Sequence, residues 1–133
     1  MFNMKRIIFL EEAAQWGICL LAIQMTKTGL HAWLLIYFFM PDLFAAGYLL
    51  NNKTGAFLYN LAHFKFTGLL VVLAGIGWHA DFCVFTGLVL YAHSSFDRML
   101  GYGLKFPDSP HHTHLGYTGK TQRRQKSISG EVF

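Results

Sequence analysis

Cysteine and charge are both scarce in this 133-residue sequence. The two cysteines, Cys19 and Cys83, lie in separate apolar runs, so the sequence predicts neither a disulfide framework nor a cysteine zinc site. Charged residues make up 14% of the chain, whereas 53% is hydrophobic. Because this composition is too apolar for an ordinary soluble domain, it indicates one compact helical domain in a membrane.

The sequence also has no internal repeat, no low-complexity segment and no pattern typical of a cleavable signal peptide. Residues 1–6 are a short basic start, but Glu11, Glu12 and Gln15 interrupt the apolar run that should follow in a signal peptide. We therefore expect the first hydrophobic segment to remain in the mature protein.

Four hydrophobic segments are each close to the roughly 20 residues that cross a bilayer. They are predicted at about residues 5–25, 31–50, 56–77 and 82–100, with a turn at 51–55 where Asn and Gly favour chain reversal. The predicted fold is all-α, a four-helix transmembrane bundle with a polar C-terminal loop. This domain comprises residues 1–117, and residues 118–133 are predicted to form a basic tail without stable order.

Lysine and arginine in the short flanks predict the orientation of the bundle. With four spans both termini share one side, and only Lys27 lies on the other. The shared side would carry the tail together with Lys5, Arg6, Lys53, Arg98 and Lys105. Both termini are therefore predicted to be cytoplasmic, in an inner membrane. The net charge of +4 beside hydrophobic spans indicates anionic membrane lipids, and no nucleic acid, as partners; the oligomeric state is left open.

Six polar side chains inside the spans are predicted at similar depths, about 5 to 14 Å from the cytoplasmic ends at a rise of about 1.5 Å per residue. They are Glu11, Asp42, Asn60, His63, His93 and Asp97. Asn60 and His63 are three residues apart and His93 and Asp97 four apart, so each pair shares a helix face. Because polar groups inside a membrane need partners, we expect one cluster that opens toward the cytoplasm.

Two imidazoles and two or three carboxylates suit a divalent metal ion such as zinc, and helical bundles build such sites from inward-facing side chains. Asp42, His63, His93 and Asp97 are the predicted metal ligands and catalytic residues, with Glu11 as a further ligand. A metal-bound water would be the nucleophile of a hydrolase. Two alternatives remain open: a buried hydrogen-bonded network that sets helix packing, and a haem held by His63 and His93.

Residues after the fourth span supply additional candidates. Arg98 and Lys105 flank a glycine turn and, with Asn60, are the predicted binding residues for a phosphate-bearing or lipid substrate. The same cations also suit simple anchoring to the membrane surface. Of the loop histidines His111, His112 and His114, His114 is expected to fold back and contribute to the metal site.

The run Phe-Asp-Arg-Met-Leu-Gly-Tyr-Gly-Leu-Lys-Phe-Pro at 96–107, followed by Thr-His-Leu-Gly at 113–116, resembles the signature of domain-of-unknown-function family 4260. That is a family of small bacterial integral membrane proteins. Shorter matching pieces occur in all four predicted spans, among them Leu10-Glu11, Pro41-Asp42, Tyr59-Asn60 with His63, and Ala92-His93. The similarity spans about residues 10–116.

The resemblance implies the membrane architecture and the choice of residues, but it supplies no reaction because the family has no established activity. The chain departs from the family pattern at Ser94-Ser95 and at Lys65. A more distant likeness, through an Asp after Pro and several intramembrane histidines, is to membrane-bound metal-dependent hydrolases. The sequence therefore leaves three hypotheses: a metal-dependent hydrolase, a non-enzymatic membrane protein whose polar core sets helix packing or binds a lipid or partner, and a haem-binding electron-transfer protein.

Overall fold

The computed structural model describes residues 3–28 and 34–128, and this part of the chain is predominantly helical. In chain order its helices are α1 (Met4–Met25), α2 (Leu34–Phe38), a 3₁₀ helix (Met40–Leu49), α3 (Asn52–His63), α4 (Lys65–Gly77), α5 (Asp81–Met99) and α6 (Gly119–Ile128). A short antiparallel hairpin of β1 (His112–Thr113) and β2 (Gly116–Tyr117) lies between α5 and α6, with His112 opposite Tyr117.

Helix α5 is central, since α1 and α4 pack along its length and α2 and α3 also contact it. Phe85 and Val89 of α5 form the buried core with Ile23 of α1. Gly87 of α5 crosses Gly68 of α4 so closely that a methyl group added at Gly87 would lie 2.6 Å from the Gly68 carbonyl oxygen. Two glycines at one crossing allow the helix backbones to approach each other, as in small-residue packing between membrane helices.

The first and fourth predicted helices agree with the structure within one residue at each end. Helix α1 begins after Asn3, whose side chain accepts a hydrogen bond from the Lys5 backbone N–H. It ends at Thr26, where the backbone is extended. Helix α5 occupies nearly all of the fourth segment.

The second predicted span is not one helix. Helix α2 ends at Phe38, and the chain continues as a ten-residue 3₁₀ helix with Pro41 in its first turn. Proline has no N–H, so it cannot continue the α-helical hydrogen bonds of the preceding turn. The predicted start of this span, at His31, lies outside the described residues.

The third predicted span is longer than expected and is bent. Asn51 caps α3, because its side chain accepts a 2.8 Å hydrogen bond from the Thr54 N–H, so the predicted turn at 51–55 is instead the first turn of a helix. Asparagine favours both structures, which is why the composition was misleading. At Phe64 the backbone is extended, and α4 departs from α3 at 49°.

A close contact also joins α3 to the 3₁₀ helix. The Tyr48 ring lies against Gly55 of α3, where a methyl group would meet the ring at 2.3 Å. Gly47 in turn faces Leu58 and the backbone of Gly55. These contacts fix the 3₁₀ helix on α3 and so determine where Asp42 lies.

Helix α1 is long and apolar enough to cross a membrane, and the bent α3–α4 pair also qualifies if it counts as one span. The other described helices do not meet this criterion. The 3₁₀ segment interrupts the second predicted span, and α5 carries Asp81, Asp97 and Arg98. The all-α class is therefore shown, whereas a four-helix transmembrane bundle is not confirmed.

The C-terminal segment contains α6, which reaches Ile128, the last residue that the structure describes. The predicted boundary after residue 117 and the lack of stable order in the tail stay predictions.

The crossing of α4 and α5 predicts opposite effects for two helical glycines. Gly87→Ala should lower the free energy of unfolding by about 1–3 kcal/mol, because its methyl group overlaps the α4 backbone. Gly17→Ala should raise it by about 0.5–1 kcal/mol, since Gly17 has open space around it and alanine favours the helix. Thermal unfolding of the two variants checks this, and equal unfolding temperatures would contradict the crossing.

Candidate metal centre

Four side chains converge from three elements at one place beside α5. Asp42 comes from the 3₁₀ helix, His63 is the last residue of α3, and His93 and Asp97 lie one turn apart on α5. One ligand atom from each residue lies within 4.8 Å of the other three. The structure therefore brings together four of the six side chains predicted to form one cluster, whereas Glu11 and Asn60 make other contacts.

Three of these atoms form a nearly equilateral triangle. The Nε2 atoms of His63 and His93 are 3.1 Å apart, and each lies 3.3 Å from Oδ1 of Asp42. The carboxylate of Asp97 lies to one side, with Oδ2 3.5 Å from the His63 Nε2 and Oδ1 3.7 Å from the His93 Nε2. The group therefore presents two imidazole nitrogens and two carboxylates to a common centre.

The orientation of His63 is fixed by its neighbour one turn earlier. Its Nδ1 lies 2.8 Å from the Tyr59 carbonyl oxygen, which accepts a hydrogen bond only from a protonated Nδ1. The neutral ring then carries its lone pair on Nε2, directed at the cluster. The Tyr59 ring also stacks on the imidazole, with centroids 3.7 Å apart.

Tyr59 is a residue that the sequence reasoning missed. Its hydroxyl donates a 3.0 Å hydrogen bond to Oδ2 of Asp97, so one side chain orients two members of the group. Spacing contained the signal, because Tyr59 lies four residues before His63 and hence on the same face of α3.

Burial differs sharply among the four side chains. His93 is 1% exposed, His63 3% and Asp97 16%, whereas Asp42 is 49% exposed. The Phe38 ring packs on His93 with centroids 5.1 Å apart. Within the part of the chain that the structure describes, the His93 Nδ1 is buried without a hydrogen-bond partner. The centre is therefore closed on the α5 side and opens at Asp42.

Lys105 and Asn60 lie together beside Tyr59. The Asn60 side chain accepts a 2.7 Å hydrogen bond from the Lys105 N–H and donates one of 2.8 Å to the Lys105 carbonyl oxygen. The Lys105 ammonium lies 4.0 Å above the centroid of the Tyr59 ring. Burial lowers the pKa of Lys105, although the nearby carboxylates of Asp97 and Asp42 oppose the shift. Asn60 therefore positions the lysine, with both ends of its amide engaged.

Arg98 lies away from this centre. Its Nη1 is 3.8 Å from Oε1 of Glu12, while the ammonium of Lys65 contacts the other Glu12 oxygen and the Gln15 amide oxygen. Glu11, a predicted ligand, is exposed and pairs instead with the Gln15 side chain on α1. The buried carboxylate of α1 is thus the neighbouring Glu12, in a second polar cluster between α1, α4 and α5.

The loop histidines also lie apart from the four-residue group. The Nδ1 of His114 accepts a 2.8 Å hydrogen bond from the Leu104 N–H, and burial followed by the charge of Arg98 lowers the pKa of His114. His112 donates from Nδ1 to Asp108 at 2.7 Å, which lowers the pKa of that carboxyl. His114 thus holds the loop in shape and is not brought to the metal centre.

The arrangement does not accommodate a haem between the two histidines. Iron coordinated on both faces would need a flat macrocycle between the two imidazoles. Here the Nε2 atoms are 3.1 Å apart, the rings meet edge to face, and both side chains are buried. No space for a porphyrin exists between them.

The model of one protein family, described as Domain of unknown function (DUF4260), matches residues 5–118. The match includes the four clustered side chains, Tyr59, Asn60 and the loop through Tyr117. No curated protein and no solved structure matches the chain.

The clamp between Asn60 and Lys105 predicts a change in protease sensitivity. Asn60→Ala removes two hydrogen bonds, worth about 1–3 kcal/mol together, so the loop should open about tenfold to a hundredfold more often. Trypsin should then cleave after Lys105 faster by a similar factor. Asn52→Ala, which removes one exposed hydrogen bond to Asp108, serves as the matched control. Unchanged cleavage at Lys105 in Asn60→Ala would show that the amide does not hold the loop.

Proposed function

The chain belongs to the DUF4260 family, and from this starting point we propose that it binds one divalent transition-metal ion through Asp42, His63, His93 and Asp97. The observation that carries the proposal is the convergence of four ligand atoms within 4.8 Å. They come from three helices and from residues up to 55 positions apart in the sequence.

The distances support an ion of zinc-like size. A triangle with sides of 3.1, 3.3 and 3.3 Å has its centre about 1.9 Å from each corner. Zinc binds nitrogen and oxygen ligands at about 2.0–2.2 Å, so the two imidazole nitrogens and Asp42 would hold such an ion with little movement. Asp97 needs only a small side-chain movement to supply the fourth ligand. Two nitrogens and two carboxylate oxygens suit zinc or a similar borderline metal.

The surrounding contacts also resemble the outer shell of a metal site. Metal-bound histidines usually donate their second N–H to a carbonyl or carboxylate oxygen, as His63 does to Tyr59. The hydroxyl of Tyr59 holds Asp97 in the same manner. Without a cation, the His63 lone pair would face the Asp42 and Asp97 carboxylates at 3.3 and 3.5 Å, which is electrostatically unfavourable.

The chemistry that fits this centre best is metal-dependent hydrolysis of a phosphate-bearing or lipid ester. Asp42 is half exposed, so water and substrate reach the ion from its side. The four side chains would hold the ion, which would supply a water nucleophile near neutral pH and stabilise the charge that develops on the ester. Lys105, held beside Tyr59 by Asn60, binds the anionic group of the substrate.

A membrane location is part of the proposal. Helix α1 is long and apolar enough to cross a bilayer. Large apolar side chains are exposed along α1, α4 and the 3₁₀ helix, and in a soluble monomer such surfaces would be costly to leave in water. From the distribution of lysine and arginine we also propose that both termini and the metal centre face the cytoplasm.

One observation favours a purely structural role as the second candidate. The 3.1 Å separation of the two Nε2 atoms is also a hydrogen-bond length, so a proton on His93 joins the rings without an ion. In that case the cluster would set the packing of α3 against α5, and metal content decides between the two.

Elemental analysis of the detergent-purified protein tests the metal site. We expect about one zinc-like ion per chain, lost in His63→Ala, His93→Ala and Asp42→Asn because each removes a ligand. The Asp42 side chain is half exposed, and its replacement by asparagine leaves no cavity. Loss of metal in Asp42→Asn therefore cannot be attributed to misfolding. Tyr59→Phe should weaken metal binding about tenfold by freeing Asp97.

His111→Ala provides the control, because His111 is exposed and lies outside the four-residue group. It should keep its metal. Substoichiometric metal after supplementation, in a wild-type protein that unfolds cooperatively, would favour the structural role.

Hydrolysis is tested separately with the metal-loaded protein and a chromogenic phosphodiester. Turnover should stop with a chelator and return with zinc, and Lys105→Gln should raise KM about tenfold while kcat changes less, because Lys105 binds the substrate rather than the ion. Fully loaded protein with no turnover on phosphodiesters, phosphomonoesters or carboxylic esters would leave a metal site without the proposed reaction.

A further inference from the structure

A cavity of about 280 Å³ lies at a different face of α5, between the first turns of α1, the C-terminal end of α5 and the hairpin. Asp97 belongs to the metal centre, whereas Arg98 lines this cavity; consecutive residues of a helix point about 100° apart. Lys5 provides a second cation from α1. The other lining side chains are largely apolar, among them Ile8, Phe9, Leu100 and Leu115.

The guanidinium N–H donors of Arg98 are not hydrogen-bonded to other described residues. Its closest carboxylate oxygen, in Glu12, is 3.8 Å away, which is an ion pair but too long for a hydrogen bond. The other oxygen of Glu12 is bound by Lys65. Among the described residues no acceptor hydrogen-bonds to the Arg98 guanidinium, although its side chain is only 20% exposed. A guanidinium has five N–H donors suited to phosphate oxygens, so these donors face the cavity unused.

The combination of cations and apolar surface in this cavity suits a phospholipid better than a free phosphate ion. Two cations at one end would hold a phosphate, and the adjacent surface of Ile8, Phe9 and Leu100 would contact the start of an acyl chain. Helix α6 follows directly after Tyr117, contacts β2, and adds the exposed cations Lys120, Arg123 and Arg124. A cluster of this sign next to apolar helices attracts anionic headgroups.

We infer that the cavity lined by Lys5 and Arg98 is a binding site for the phosphate headgroup of an anionic phospholipid. It is separate from the metal centre and independent of any ion there. The substrate phosphate proposed for Lys105 and the lipid phosphate held by Arg98 would occupy different sites. A lipid bound here would join α1, α5 and the C-terminal hairpin through one ligand.

Calorimetric titration of the detergent-purified full chain with short-chain phosphatidylglycerol tests the site. Wild-type protein should bind phosphatidylglycerol, and Lys5→Gln should weaken binding about fivefold, the effect of one surface cation near a headgroup. Lys5 is exposed in the first turn of α1, so its replacement leaves the core unchanged. Arg98→Lys keeps the positive charge that faces Glu12 but loses the planar guanidinium with its paired N–H donors. It should also weaken phosphatidylglycerol binding several-fold.

Lys53→Gln is the matched control, since it removes one exposed cation from the N-terminus of α3, away from the cavity. Its affinity should equal that of the wild type. Equal weakening by Lys5→Gln and Lys53→Gln, or equal binding of phosphatidylcholine and phosphatidylglycerol, would overturn the proposal. Inorganic phosphate that binds as tightly as the lipid would likewise overturn the lipid as the ligand.

Discussion

A hydrogen bond at the bend between α3 and α4 links α3 to α5 beside both histidines. Where α3 ends, the His63 carbonyl no longer has a helical partner, and the hydroxyl of Ser94 donates to it at 2.8 Å. Ser94 directly follows His93, so this bond joins the two helices at the residues that carry the imidazoles. The extended backbone at Phe64 then sends His63 to one cluster and Lys65 to the other. The two polar centres of the molecule thus depend on one interruption in a helix.

Depth and helix face are properties of regular helices, and they predict the four side chains that meet. Asn60, also predicted, lies beside the cluster, and Glu11 lies outside it. His93 and Asp97 are four residues apart on α5, and Asn60 and His63 are three apart on α3. Each pair lies within one helix and shares a face of it, so the bend at Phe64 does not separate them. The same reasoning fails for α1, since the rotation of a helix about its axis depends on tertiary packing. Glu11 and Glu12 are equally polar in sequence, yet only Glu12 is buried.

Other features lie beyond sequence patterns for different physical reasons. A proline signals that an α-helix is interrupted but does not say that ten residues continue in 3₁₀ form. The bend at Phe64 has neither proline nor glycine beside it, and it is stabilised by a residue thirty positions later. Whether His114 turns toward α5 or toward Leu104 is decided by loop hydrogen bonds that have no periodicity.

The unequal burial of the four ligands has a kinetic consequence. His63, His93 and Asp97 are held by α-helices, whereas Asp42 lies half exposed on a 3₁₀ helix, whose hydrogen bonds have poorer geometry. Local opening of such a segment costs far less free energy than unfolding the helices that hold the histidines. An ion at this centre would therefore exchange with solution through movement of one short segment, at a rate set by that segment and not by the stability of the whole protein.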